Sequence, residues 1–277
     1  MKILFNHIIP EVAQSASNLL IEAGNYGVSC IWYNANPIKA VGVRMYHFQE
    51  HSSGKEIAGY LMKMLSEPEF SGKEIFLCMN VKEAMIVPSA YFSHSSLPAM
   101  FELMYGKNSG AIHTDTVEME QRGERHICYN SYRVNEEIME CVKSYIQPGK
   151  MKHSTSLQVQ NAETDTRVYG IVYHHKIKLL LFKEGALQLV QQYPYKTPAD
   201  AAYILLNACH QHAMLPAEVE VRLAGIIDKD SNLFREIARY FMQVNLQEIH
   251  EEVEVDEGLK DISAHYFSHL THLLVCV

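Results

Sequence analysis

The 277 residues are 48% hydrophobic and 20% charged, with a formal net charge of −8. That content excludes a disordered chain, a collagen-like repeat and a small disulfide-stapled scaffold. No apolar run reaches the roughly 20 residues of a membrane span, and Lys and Arg are too few and too dispersed for a nucleic-acid backbone.

At about 100–200 residues per domain, the length suits two modest domains or one large one. The opening MKILFNHIIPEVAQSAS has one Lys and a short apolar stretch broken by Asn6, His7 and Pro10. It makes a weak signal peptide, and a cytoplasmic protein is expected. Residues 19–33 (LLIEAGNYGVSCIWY) read as two strands around a Gly-Asn-Tyr-Gly turn. Asn34 to Pro37 turns again, and 38–48 makes a third strand. Ile57, Tyr60, Leu61, Met64 and Leu65 mark the buried stripe of a helix over about 55–65. After Gly72, residues 74–79 form a buried-type strand.

A helix over Leu97 to Tyr105 and a strand over 126–132 follow. Asn135 caps a further helix that ends before Pro148-Gly149. The polar stretch 150–165 has no apolar period and reads as the boundary between halves, 1–153 and 154–277. Residues 167–182 form two strands about a turn near His174-His175, with a third strand over 186–195. Pro198 opens a helix over about 198–210, and 218–223 is a fourth strand. The chain closes with a helix over 231–241, a strand over 243–249, an acidic loop from Glu248 to Glu257 and an apolar segment, Ile262 to Val277, docked as a helix.

The two halves repeat one order. Val28 and Cys30 to Tyr33 match Ile177 and Leu179 to Phe182; Tyr46-His47-Phe48 match Tyr193-Pro194-Tyr195. Tyr60 matches Tyr203, and Glu74-Ile75 match Glu218-Val219. Each copy is three meandering strands, a crossover helix and a fourth strand, which gives a mixed sheet.

Two tandem copies of this order resemble the actin-like ATPase superfamily, whose ribonuclease-H-like halves flank a nucleotide cleft. Through LLIEAGNYGVSCIWY, IVPSAYF and LAGIIDKDSNLFREIARYF the chain is similar, more narrowly, to a bacterial domain-of-unknown-function family with that fold. The fold class implied is α/β (α+β, mixed sheets): two tandem ribonuclease-H-like βββαβ domains in an actin-like ATPase arrangement, with 256–277 packing back.

The resemblance also implies a nucleotide cleft, here with departures. The first phosphate motif, Asp-x-Gly and a small hydroxyl residue, is matched by Glu22, Gly24 and Asn25. The longer Glu suits the strict octahedral geometry of Mg²⁺ poorly. The second motif needs an Asp and a glycine-rich turn. Its counterpart, Gly170 to Lys176, has no acid and puts His174 and His175 at the turn. The adenosine motif is partly met by Ala224 and Gly225. With two phosphate grips altered, no cofactor is expected, because phosphoryl transfer rests on positioning and electrostatics.

Other chemistries are weaker. His265, His269 and His272 would share a helix face, and His47 and His51 flank a strand end. An amphipathic tail with snorkelling imidazoles explains the first set better than a metal site, since no Cys or carboxylate completes a shell. His113-Thr114-Asp115, on an irregular segment, is no triad. Trp32, Tyr33, Tyr46, Phe48, Tyr193 and Tyr195 read as strand packing. The six cysteines, none in a C-x-x-C pair, read as reduced core thiols. A two-metal nuclease would draw on Glu22, Glu218 and Glu220, too few carboxylates in the right strands.

The expected function is that of a non-catalytic scaffold or assembly partner for another protein, with the tail 256–277 and the exposed sheet edges as contact surfaces. The alternative is a nucleotide-binding ATPase or small-molecule kinase with ATP and Mg²⁺ at Glu22, Gly24, Asn25, Ala224 and Gly225. Two nearly bare copies of the core, without insertions, argue against the enzyme.

Overall fold

The computed structural model describes residues 1–49, 52–147, 149–160, 162 and 165–277. The positions assigned above to His51 and Pro148 lie outside the described residues.

The opening stretch weighed as a signal peptide forms β1 (Lys2–His7), antiparallel to the third strand of the first copy, and a short helix, α1 (Pro10–Ser15). The first copy follows as β2 (Asn18–Gly24), β3 (Gly27–Ala35), β4 (Ile38–His47), α2 (Gly54–Leu65) and β5 (Glu74–Asn80). Ser53 caps α2 reciprocally with Glu56, while Ile57, Ala58, Leu61, Met64 and Leu65 bury its inner face. Trp32, fully buried on β3, donates from its indole nitrogen to the Glu69 carbonyl at 3.0 Å.

An insertion separates β5 from the rest of the first half, so the copies are not bare. It comprises β6 (Ala84–Pro88), α3 (Leu97–Tyr105), β7 (Ala111–Gln121) and β8 (Glu124–Val134). These strands make a separate three-stranded sheet in the order β6-β8-β7. His113 to Asp115, read above as irregular, therefore lies within a long strand. Then come α4 (Glu136–Lys143), capped by the Asn135 side chain, β9 (Met151–His153) and α5 (Ser154–Gln160).

The stretch read as a polar boundary is thus structured. Ser154, Thr155 and Ser156 are buried at the start of α5. Asp115 holds them: it accepts from the His153 backbone N–H at 2.7 Å and from Ser156 Oγ at 2.6 Å. Paired polar groups can be buried, and hydrophobic periodicity does not register them.

The second copy is β10 (Arg167–Tyr173), β11 (Lys176–Lys183), β12 (Ala186–Pro194), α6 (Pro198–Gln211) and β13 (Glu220–Gly225), followed by α7 (Asn232–Ala238) and β14 (Gln243–Leu246). Its sheet runs β12-β11-β10-β13-β14; the first runs β1-β4-β3-β2-β5-β9. The shared core of each is third, second, first, fourth, with the fourth strand parallel to the first. Both copies even shift register at corresponding places, between Trp32 and Tyr33 and between Leu181 and Phe182. One detail of the repeat changes. Asn18 opposes Glu74, and its counterpart Arg167 opposes Glu220, so Glu74 corresponds to Glu220 rather than Glu218.

The C-terminal segment forms β15 (Glu254–Val255), parallel to β4, then α8 (Glu257–Lys260) and α9 (Ser268–Leu274). Leu259, Phe267, Leu270, Leu273 and Leu274 are buried against Leu20, Ile31 and Val43 of the first sheet. Each such side chain contributes about 1.5–3 kcal/mol. The tail is therefore part of the core rather than a free contact surface. His265 and His269 are also buried, not snorkelling, and His265 lies outside α9.

Candidate functional site

Two tight turns face each other between the halves. Asn25-Tyr26 closes β2 to β3 through the Gly24–Gly27 pair, and His174-His175 closes β10 to β11 through the Tyr173–Lys176 pair. Glycine is required on the first side: a Cβ on Gly27 would lie 2.2 Å from the Tyr46 carbonyl oxygen, and one on Gly24 2.6 Å from that of Asn80. Gly225, at φ +87°, is held equally closely, 2.2 Å from the Val172 oxygen.

Glu22, Gly24 and Gly225 line one cavity here, together with Tyr173, Lys176, His174, Asn80 and His269. Asn25 is exposed at the turn tip, and Ala224 is buried within β13; neither lines the cavity.

Glu22 is 2% exposed and points across to the second half. The Tyr173 hydroxyl donates to it, lying 3.0 and 3.1 Å from its two carboxylate oxygens. Lys178 Nζ, 1% exposed, donates to Ser154 Oγ at 3.0 Å, and Ser154 also bonds to Glu22. His269 Nε2 stands 3.8 Å from Glu22, in α9. Three segments of the second half thus converge on one carboxylate of the first.

Burial dominates the titration of this cluster. It pushes Glu22 above the usual carboxylate range, against the attraction of Lys178 and Lys176. It pulls Lys178 down to about 7 and Lys176 to about 8, while the charge of Glu22 opposes the fall. It lowers His269 to about 3, so the imidazole is neutral at pH 7. Neither ring nitrogen of His269 has a hydrogen-bond partner among the described residues.

The mouth is crowded as well. The His47 and His174 rings lie 3.9 Å apart between centroids, as do those of His174 and His175. The cavity left between the turns measures about 30 Å³. That is room for about two water molecules, against the several hundred Å³ of a ligand pocket. As packed here it does not fit a nucleoside triphosphate. No group of three His, Cys, Asp or Glu side chains among the described residues is arranged to hold a metal ion. The six cysteines are free, five of them buried.

Sequence reasoning missed Tyr173, Lys176, Lys178, Asn80, Ser154 and His269. A signal existed for two. Lys176 and Lys178 alternate in the otherwise apolar run KIKLLLF, so both ammoniums project from one face of a buried strand.

A family model described as a protein of unknown function (DUF3822) matches residues 11–244. A Bacteroides thetaiotaomicron protein with an actin-like ATPase fold and unknown function superposes with a TM-score of 0.71 at 15% identity, over 96% of this chain and 99% of its own. The PilM–PilN type IV pilus biogenesis complex contains a chain that superposes at 0.60 and 13% identity, over 94% of this chain and 98% of its own. The fold is therefore that of the actin-like ATPases, built of mixed α/β sheets. No curated protein matches the sequence. No helix among the described residues is long and apolar enough to cross a membrane.

Proposed function

Because the chain belongs to the DUF3822 family of proteins of unknown function, we propose a role from its own cleft: a non-catalytic actin-like protein that serves as a scaffold or assembly partner for another protein. One observation carries this reading. The space where two phosphate-gripping turns would meet a nucleotide is filled by the Tyr173–Glu22 contact and the histidines above it, leaving about 30 Å³. Lysines that could have met phosphate donate to Gln192 and Ser154 instead, within reach of the charge of the buried carboxylate. PilM, on the same fold, is seen in complex with PilN, which accords with an assembly role. Six free cysteines suit a reducing compartment, and the proposal places the protein in the cytoplasm.

The test is a thermal-shift and calorimetric titration with Mg-ATP. A ligand at a hundredfold excess over its Kd stabilises by about 2.7 kcal/mol. The expected result is no shift at millimolar nucleotide; saturable binding with phosphate release overturns the reading.

A second reading draws on Glu22, Gly24 and Gly225 sharing one cavity. In it the protein is a nucleotide-binding ATPase or small-molecule kinase with ATP and Mg²⁺ as ligands. It requires the halves to part and the Tyr173–Glu22 bonds to break, so Tyr173→Phe would expose nucleotide binding that the wild type conceals.

A further inference from the structure

A larger cavity, about 360 Å³, lies on the other side of Lys178, between the inserted sheet and the second half. Its walls are unusual. Six successive residues of β12, Leu187 to Gln192, line it, and so do Ala84, Met85 and Ile86 of β6. Successive residues of a strand point to opposite faces, so a cavity touching all of them runs along the edge of the strand. Both strands are outermost in their sheets among the described residues. A row of backbone N–H and C=O groups at such an edge is a template for another strand.

The chemistry of the lining is selective. Lys82 is its exposed charge, and no Asp or Glu among the described residues lines it, in a chain whose net charge is −8. Asn130 also lines it; the residue is fully buried, yet its Oδ1 has no hydrogen-bond partner among the described residues. Leu187, Leu189 and Met85 offer apolar surface beside these groups.

We propose that this groove binds an extended peptide segment of a partner protein by strand addition between β6 and β12, and that it selects a segment carrying an acidic side chain. The backbone edges supply affinity without regard to sequence, while the apolar wall and Lys82 read alternate side chains. The proposal rests on the assembly reading for the existence of a protein partner. It does not depend on the nucleotide result, so each can fail alone.

The test pans a random dodecapeptide library displayed on phage against the full chain and measures the enriched peptides by fluorescence anisotropy. Enriched sequences should alternate apolar residues and carry Asp or Glu. Bound peptide should slow hydrogen exchange within 84–88 and 187–192. Lys82→Glu and Gln188→Glu, both at exposed positions, should weaken binding at least tenfold, and Gln188→Lys should strengthen it. No enrichment, protection elsewhere, or indifference to these charges overturns the proposal. So does concentration-dependent protection of the same amides without peptide, which would make a second copy of the chain the occupant.

Discussion

The two turns at the cleft join their strands in the same register and carry opposite chemistry. Gly24 corresponds to Tyr173, Gly27 to Lys176 and Ser29 to Lys178, although only the second turn has a residue at positive φ, His175. The first turn keeps the small residues that let backbone approach a ligand. The second carries the side chains that fill the space. Glu22 has an apolar counterpart, Ile171, so the charge cluster arises only where the copies differ. The two copies share one frame, and differences at a few strand positions make the facing turns an interlocked contact between halves.

The largest test of that interlock removes its carboxylate. Glu22→Ala leaves Tyr173 buried without its acceptor and Lys178 without its opposite charge, and breaking a buried pair costs about 3–5 kcal/mol. The midpoint of urea unfolding, read by the buried Trp32, should fall accordingly. The paired replacement Glu22→Leu with Lys178→Met should recover most of the loss. If both variants unfold alike, the cluster does not act as a unit.

Next in size is the acid limb. His269 titrates near 6.5 when unfolded and about 3 when folded. Between those values the unfolded state binds more protons, so stability is present above about pH 6.5 and is lost as pH falls toward 3. From pH 7 to 4.5 the loss is about 2–3 kcal/mol for such an imidazole. His269→Leu should flatten that part of the profile; an unchanged slope would move the sensitivity to another group, with His153, also lowered to about 3, the foremost.

The smallest effect is expected from Tyr173→Phe. It deletes one hydroxyl and keeps the ring, so a loss of about 1–2 kcal/mol in unfolding free energy is expected. A change below the error of denaturant titration would mean that the ring, rather than the hydroxyl, holds the halves.

Much of the architecture was written in local pattern. The Gly24-Asn25-Tyr26-Gly27 turn, the stripe of Ile57, Leu61 and Leu65 and the Pro198 helix start each follow from neighbours in the chain, and their recurrence disclosed the duplicated frame. What escaped was polar burial. Ser154 to Ser156 look like a linker because only partners from distant elements make their burial tolerable, and His269 looks like a surface imidazole because nothing local shows that α9 packs on the first sheet.

The sequence by itself determined the strand-and-helix order, carried by spacing within about fifteen residues, and the recurrence of that order in the second half. The tertiary structure alone decided that Glu22 meets Tyr173, that α9 seals the first sheet, and that β6 and β12 bound a common groove. These contacts join residues far apart in the chain. Their energies depend on burial and mutual distance, quantities that no local pattern of residue types contains.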